Sequence, residues 1–168
     1  MTSSYEFSDV DGFACGTVGP KGRRVFFLQV REGDVEASLK MEKQQVAALA
    51  RFLGEMLGDI GRKRAAAAEP LDATPVEADF REPDGPDWTV GTIGAAYEET
   101  NSRIILWIEE LAEEEDEAEA ASARIALRPE QVAGFVRQAN ELVAAGRPPC
   151  PYCGAPLNGD DGFCPCWN

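Results

Sequence analysis

Two stretches of this chain follow the same pattern of strands and helix, and this internal similarity constrains the fold more than any other feature. Each stretch begins with a Gly-Thr-aliphatic-Gly strand, at residues 16–19 and 91–94. Each continues through a turn into an apolar run led by arginine, at residues 24–28 and 103–107. Both runs are rich in β-branched and aromatic residues, which suits buried strands.

A third strand and an amphipathic helix complete each stretch. Apolar residues alternate at Leu39 and Met41 in the first and at Ile125 and Leu127 in the second, as in strands with one buried face. The helices that follow carry apolar residues at the spacing of a single helical stripe. The stripes comprise Val46, Leu49, Ala50, Leu53, Met56 and Leu57, then Val132, Phe135, Val136, Ala139, Leu142 and Val143. The sequence therefore predicts one β-β-β-α unit, present twice.

The duplicated unit predicts an α+β fold, with an antiparallel sheet covered on one face by two helices. One unit alone would leave much of its apolar surface in water, so we expect the two to associate in a pseudo-twofold arrangement. Gly58 and Gly146 are suited to end the two helices. Trp88 and Trp107 are expected to pack in the core, and Cys15 to be a small buried hydrophobe.

These patterns divide the chain into parts. Residues 1–60 form the first unit, residues 88–146 the second, and residues 147–168 a short C-terminal tail. Between the units, residues 61–87 contain four prolines that break regular structure, which predicts a surface linker. In the loop at residues 109–120 of the second unit, the stretch 113–119 is acidic at six of its seven positions. This composition predicts a disordered, solvated loop tip, with a docking site for a basic partner as the alternative.

The net charge of −14 excludes whole classes of partner. Nucleic acid and anionic lipid are bound through a basic footprint, so we expect neither as a partner. No apolar run reaches the length that spans a bilayer. The first residues also lack a basic segment followed by an apolar stretch, so no secretory signal is predicted. These features predict a cytoplasmic protein.

Histidine is absent from the chain, which removes the commonest general base and every Ser-His-Asp or Cys-His arrangement. The two Gly-Thr-aliphatic-Gly stretches lack the frame of a phosphate-binding loop. We interpret them as strand residues that another backbone approaches closely. No catalytic residue is assigned, and a non-enzymatic role is favoured.

The tail contains four of the five cysteines: Cys150, Cys153, Cys164 and Cys166. A Cys-x-x-Cys pair, a ten-residue loop and a second pair are typical of a structural zinc site, in which four thiolates close a tetrahedron. The second pair is Cys-x-Cys, which is narrower than usual. A redox dithiol and free thiols are the alternatives. A catalytic zinc is disfavoured because four thiolates leave no position for water.

The chain also resembles a family of uncharacterised actinobacterial repeat proteins, the domain of unknown function 3090. The stretches that carry the resemblance are GTVGPKGRRVFFLQV, MEKQQVAAL, VGTIGAAYE and AAGRPPCPYCGAPL. Members end in Cys-Pro-x-Cys-Gly and then Gly-His-x-Cys-Pro. By this resemblance Cys150, Cys153 and Cys164 match three expected ligands. The family histidine is missing, since Phe163 follows Gly162, and Cys166 is placed to supply the fourth ligand.

Two functions follow from these features. The first is a zinc-binding adaptor scaffold, in which the tail with its structural Zn²⁺ mediates contacts with a protein partner. The second is a small-anion or metabolite-binding protein, or an enzyme, that uses the groove between the units. Arg24 and Arg103, at equivalent places in the two units, would then point into one pocket.

Overall fold

A mixed seven-stranded sheet and two helices make up the protein in the computed structural model. The structure describes residues 2–113, 119–146, 150–155, 157 and 164–167. The elements are β1 (Tyr5–Phe7), β2 (Gly12–Val18), β3 (Val25–Glu32), β4 (Val35–Met41), α1 (Lys43–Ala66), β5 (Trp88–Glu98), β6 (Arg103–Glu110), β7 (Ser122–Leu127) and α2 (Pro129–Ala144). A single 3-10 turn, Pro165–Trp167, follows in the tail.

The strand order is β1-β7-β6-β5-β4-β3-β2. Neighbours within each unit pair antiparallel, as expected from the sequence. Two pairs are parallel, β1 with β7 and β4 with β5, so the expectation of a wholly antiparallel sheet is wrong. The β4–β5 pair is parallel because a long connection, α1 followed by residues 67–87, joins the end of β4 to the start of β5. No sequence pattern predicted β1, which has only three residues.

Strands β2, β3 and β4 precede α1, and β5, β6 and β7 precede α2, which is the β-β-β-α order expected of each unit. Corresponding strands lie three positions apart in the sheet and run in the same direction. The first and second segments thus have the same strand order and the same strand directions along the sheet.

Both helices bury their predicted stripes against the sheet. Val46 and Leu53 of α1 and Val132 of α2 are fully buried, and the rings of Phe13 and Phe135 lie 4.6 Å apart between β2 and α2. The ends of the stripes are less deep: Met56, Leu57, Val136, Leu142 and Val143 are partly buried against the same core. No helix among the described residues is long and apolar enough to cross a membrane.

The two helices begin in the same way. In α1, the side-chain oxygen of Gln45 accepts a hydrogen bond from the backbone N–H of Glu42 (2.8 Å), and its amide nitrogen donates to the Val90 carbonyl (3.2 Å). Gln131 of α2 does the same, accepting from the Arg128 N–H (3.0 Å) and donating to the Val10 carbonyl (2.7 Å). Each glutamine thus caps its helix and ties it to a neighbouring backbone, Gln45 to β5 and Gln131 to the loop between β1 and β2.

The helices pack side by side in opposite directions. Gly54 of α1 faces Val136 of α2, and Lys43 at the start of α1 lies beside Gly146, just after α2. Helix α1 continues to Ala66, so Gly58 lies within it and does not end it as expected. Helix α2 ends close to the expected glycine.

Of the expected surface linker, residues 61–66 continue α1, and the proline-rich residues 67–87 form a strap that is bound on both sides of the sheet. It contains no helix or strand. Its first half lies on α2, where the Val76 N–H donates to the Glu130 carbonyl (2.9 Å) and Gln138 donates to the Ala78 carbonyl (3.1 Å). The side-chain oxygen of Gln138 also accepts the N–H of Cys15 on the edge strand β2 (3.0 Å).

The second half of the strap lies on the opposite face of the sheet. The Phe80 ring sits over Gly16, where any side chain would overlap it, and lies 6.3 Å from the Phe27 ring. The side chain of buried Gln29 exchanges two hydrogen bonds with the backbone of Arg81, both 2.9 Å long. The strap therefore covers the β2 edge, which would otherwise be open to pairing with another chain.

The two tryptophans that were expected in the core, Trp88 and Trp107, differ in their burial. Trp88 is buried as predicted and donates its indole N–H to the Ser3 carbonyl (3.0 Å). The prediction for Trp107 is wrong, since 45% of its surface is exposed. Its neighbours Leu106 and Ile108 face the helices, so strand alternation places Trp107 on the other face.

The acidic segment 109–120 is only partly described. Glu109 and Glu110 belong to β6. Glu110 accepts hydrogen bonds from the Ala121 N–H (2.9 Å) and the Thr2 hydroxyl (2.7 Å), which lower the pKa of its carboxyl. The predicted disordered tip, at residues 114–118, lies outside the described residues.

Candidate metal centre

The structure brings together the four cysteines that the sequence singled out. Their sulfur atoms all lie within 4.8 Å of one another. Cys150 and Cys166 are 3.6 Å apart between sulfurs, and Cys153 and Cys164 are 3.5 Å apart. Each close pair therefore joins one cysteine of the first pair in sequence to one of the second. None of the four forms a disulfide.

The backbone around Cys150 forms a tight turn that directs an N–H group at its sulfur. The Gly154 N–H donates to the Cys150 carbonyl (2.9 Å), and the Cys150 N–H donates to the Ala155 carbonyl (2.7 Å). Within this turn the Tyr152 N–H points at the Cys150 sulfur, 3.4 Å away. Gly154 has a φ of +75°, a conformation that glycine adopts without strain. The second pair is held by the short helix, in which the Trp167 N–H donates to the Cys164 carbonyl (3.0 Å).

The spacing of the sulfurs suits one tetrahedral ion. A zinc–sulfur bond of about 2.3 Å places the sulfurs of a tetrahedral site about 3.8 Å apart. The two close pairs, at 3.5 and 3.6 Å, are near that value, and no pair exceeds 4.8 Å. Cys150 and Cys164 are buried, whereas Cys153 and Cys166 are exposed. The cluster can thus accept a metal ion at the surface of the tail.

The thiols of the cluster influence one another's ionisation. Burial would raise the pKa of Cys150, but hydrogen bonds from the backbone N–H groups of Cys153 and Tyr152 and from the Cys166 thiol lower it to about 6. The pKa of Cys166 is raised by hydrogen bonding to Cys164 and also to Cys150. Four negative sulfurs cannot accumulate in so small a space without a cation. A divalent ion removes this conflict, because it is bound by the thiolate form.

Cys15 provides a contrast within the same chain. It is buried in β2, and burial, together with the nearby Glu77 carboxylate, raises the pKa of its thiol to about 12. A thiol with these properties is a poor nucleophile and a poor metal ligand. This agrees with its expected role as a small buried hydrophobe.

We expect iodoacetamide to distinguish Cys15 from the tail cysteines. At pH 8, the folded, metal-free protein should be carbamidomethylated first in the tail, at exposed Cys153 and at Cys150 with its lowered pKa, whereas Cys15 should react only after denaturation, as measured by intact-mass and peptide mass spectrometry. Because its pKa lies above the unfolded value of 9.0, neutral Cys15 favours folding fully below pH 9, and this contribution is lost as the pH rises towards 12. Rapid labelling of Cys15 in the native protein would contradict this prediction.

Two aromatic side chains are exposed beside the cluster. Tyr152 is 82% exposed and Trp167 is 46% exposed, and their rings meet edge to face with centroids 6.5 Å apart. With Pro151 and Cys166 they line an open depression of about 710 Å³. Sequence reasoning did not select this pair. A signal was present in the sequence, since Tyr152 directly precedes Cys153 and Trp167 directly follows Cys166.

The two arginines proposed to share a pocket do not do so. Arg103 donates to the Asn101 carbonyl of its own turn (3.1 Å). Arg24 lines a small cavity with Lys21 and Lys43, and neither arginine lines the larger cavity of about 560 Å³ between α1 and the β5–β6 turn. Arg24 just precedes β3 and Arg103 begins β6, and these strands lie three positions apart in the sheet. A pocket formed by both arginines therefore has no support in the structure.

Comparison with known proteins identifies one family. The model of a family described as a protein of unknown function, DUF3090, matches residues 5–164, which is nearly the whole chain. The match includes both β-β-β-α segments, the strap and three of the four tail cysteines. No curated protein and no solved structure matches the chain.

Proposed function

The chain belongs to the DUF3090 family, and we propose that it is a non-enzymatic zinc protein whose tail makes contact with a protein partner. In this proposal Cys150, Cys153, Cys164 and Cys166 bind one Zn²⁺, which has a structural role. The observation that carries the proposal is the approach of all four sulfurs to within 4.8 Å of one another.

Zinc suits this donor set better than the other common ions. Thiolates favour zinc, copper(I) and iron over magnesium or calcium, and a tetrahedral set of four sulfurs is typical of zinc or iron. When bound, the ion supplies fixed tetrahedral bonds, and four thiolates leave it no open position for water or substrate. The tail residues hold the sulfurs, and the N–H of Tyr152 stabilises the thiolate of Cys150. The tail would thus be ordered by metal, not by an apolar core. A reducing cytoplasm, where thiols stay available as ligands, suits such a site.

The metal content of the purified protein tests the first part of the proposal. Full-length protein, purified without chelators or a polyhistidine tag, should contain one equivalent of zinc per chain by plasma mass spectrometry. Titration with a mercurial should release it in proportion to modification of four thiols. Less than half an equivalent of zinc would overturn the proposal, and stoichiometric iron with a red colour would reassign the site to electron transfer.

The exposed aromatic pair supports the contact with a partner. Tyrosine and tryptophan are enriched at protein interfaces because they bury a large area with little loss of conformational freedom. Tyr152 and Trp167 are connected to the cluster through the backbone, since Tyr152 bonds to Cys150 and Trp167 to Cys164. A bound metal would fix both rings on one surface. Loss of the metal would separate them.

A partner bound at this surface should be sensitive to the aromatic pair and to the metal separately. We expect Tyr152→Ala protein to keep its zinc but to lose partners recovered by the wild-type protein from native cytosol, as quantified by mass spectrometry. Val35→Ala, which truncates an exposed apolar side chain far from the tail in sequence, is the matched control. Equal recovery with Tyr152→Ala and wild type would refute the aromatic surface, while leaving the zinc site untouched.

We also propose that the scaffold arose by duplication of the β-β-β-α unit. Three features support this: the repeated element order, the equal directions of corresponding strands and the shared role of Gln45 and Gln131 at the helix starts. The proposal explains why one unit alone does not suffice. Helix α2 of the second segment packs on β2 of the first, through Phe13 and Phe135.

A further inference from the structure

Three basic side chains converge on one cavity at the end of the sheet where α1 begins. The cavity has a volume of about 180 Å³ and is lined by Lys21, Gly22, Arg24, Phe26, Lys43 and Gly146. No acidic residue lies among these lining residues. In a chain with 30 acidic and 16 basic residues, a cavity with three cations and no anion is unusual.

The pairing of β3 with β4 explains why these residues meet. Phe26 lies opposite Met41 in this antiparallel pair. Continuing the register by two residues beyond the pair places Arg24 opposite Lys43. Lys21 lies in the turn between β2 and β3, at the same end of the sheet. The positions of the three cations are thus fixed by strand register and by one short turn.

The three cations have no partner in the described part of the chain. Neither Lys21, Arg24 nor Lys43 forms an ion pair or a side-chain hydrogen bond with it. Most other arginines do: Arg62, Arg124, Arg128 and Arg137, for example, pair with carboxylates. The carboxylates that are abundant elsewhere in the chain therefore do not neutralise this cavity.

We propose that this cavity binds a phosphate group, carried by a small metabolite or present as free phosphate. Arg24 would donate to two oxygens from its planar guanidinium, while the two lysines would act as point charges. Lys43 is the first residue of α1, but the Glu42 carboxylate caps that helix start, so the attraction comes from the three side chains and not from the helix dipole. This site is separate from the four-cysteine cluster and does not depend on the zinc proposal.

The size of the cavity and the charge of the protein restrict the ligand. Pockets that enclose a drug-sized ligand have roughly 300–1,000 Å³, so a cavity of about 180 Å³ accepts the charged end of a molecule and leaves the rest outside. A polyanion such as nucleic acid would also meet the rest of a surface with a net charge of −14. Repulsion from distant carboxylates is screened beyond about 8 Å at physiological ionic strength. A small phosphate is therefore favoured over a long polyanion.

One of the cations has a competing structural role. The Lys43 ammonium lies so close to Gly146 that a side chain there would overlap it, and this places positive charge beside the C-terminal end of α2. Helix α2 has no basic residue in its own last turn. Lys43 would then stabilise α2 as well as bind phosphate. The two roles are separable because only phosphate binding requires Lys21 and Arg24.

Isothermal titration of the full-length protein with inorganic phosphate and with pyrophosphate, at constant ionic strength, tests the proposal. We expect saturable binding of one ion per chain. Removing one charge-assisted contact should weaken it by about tenfold or more, so Arg24→Gln and Lys21→Gln should each show such a loss. Lys21 is exposed in a turn, so its replacement does not threaten folding.

Arg23→Gln is the matched control, since it removes the same charge from the same turn but lies outside the cavity lining. It should change the affinity less than twofold, roughly the effect of a screened surface charge. The proposal is overturned if phosphate binds no more strongly than chloride does at the same ionic strength. It is equally overturned if Arg23→Gln weakens binding as much as Arg24→Gln, because the attraction would then be diffuse.

Discussion

If the four cysteines bind zinc as proposed, we expect replacement of Cys150 by serine to abolish tight metal binding by the tail and to leave the sheet intact. A serine hydroxyl is not deprotonated near neutral pH and does not replace a thiolate as a zinc ligand. Structural zinc affinity is spread over four such bonds, so the loss of one should weaken binding by roughly 100-fold or more. Cys150 also organises the turn through its carbonyl and its sulfur. We expect this variant to have the largest effect of any single tail substitution.

The sheet should not respond, because the hydrogen bonds described for the tail join tail residues to one another. Competition with a chromogenic chelator measures the affinity, and hydrogen exchange with mass spectrometry locates the change. Exchange protection should fall over residues 150–167 and persist in β3 and β6. Cys15→Ala is the control, with wild-type zinc affinity. A Cys150→Ser protein that keeps a full equivalent of tightly bound zinc would show that the cluster is not the site.

The second large effect concerns the strap. Gly134→Ala should destabilise the protein, although alanine is the better helix former by about 1 kcal/mol. At this position a side chain would overlap the Val76 carbonyl oxygen and lie 2.9 Å from the Glu77 nitrogen. Both atoms belong to the backbone of the strap, so neither can move aside as a flexible side chain would. We expect a net loss of about 2–3 kcal/mol in the free energy of unfolding, as in other overpacked sites.

Gly61→Ala is the matched control for this prediction. Gly61 also lies inside a helix, and nothing lies within 4 Å of where its side chain would be. The change should therefore stabilise the protein by up to about 1 kcal/mol. Urea unfolding followed by circular dichroism gives both values. If Gly134→Ala stabilised the protein as much as Gly61→Ala, the strap would not be packed on α2.

Local patterns in the sequence predicted the elements well. The 3.6-residue stripes located both helices, and the buried positions Val46, Leu53 and Val132 belong to them. The cysteine spacing located the cluster, because the ligands of such a site come from two short turns. Strand alternation was also sufficient to place Trp107 outside, between inward-facing Leu106 and Ile108, but its large apolar side chain misled the prediction.

What the sequence did not predict depends on contacts between distant backbones. The strap bonds to α2 through the N–H of Val76 and the carbonyl of Ala78, and backbone groups have no residue signature. Only Gly16 and Gly134, which make room for the strap, hint at it. The arginine pocket failed for a different reason: Arg24 and Arg103 belong to parts of the sheet three strand positions apart, and each has its own surroundings.

The parallel pairing of β1 with β7 gives the chain an order of assembly during synthesis. Tyr5–Phe7 leave the ribosome long before residues 123–125 of the second segment, with which they pair. The strap must likewise wait for Glu130 and Gln138 before it can bind. When only the first segment has been synthesised, β1 therefore lacks its partner β7, and the helix α2 that binds the strap is also missing. The protein reaches its native form only once α2 has emerged, and folding is governed by contacts made late and over long separations in sequence.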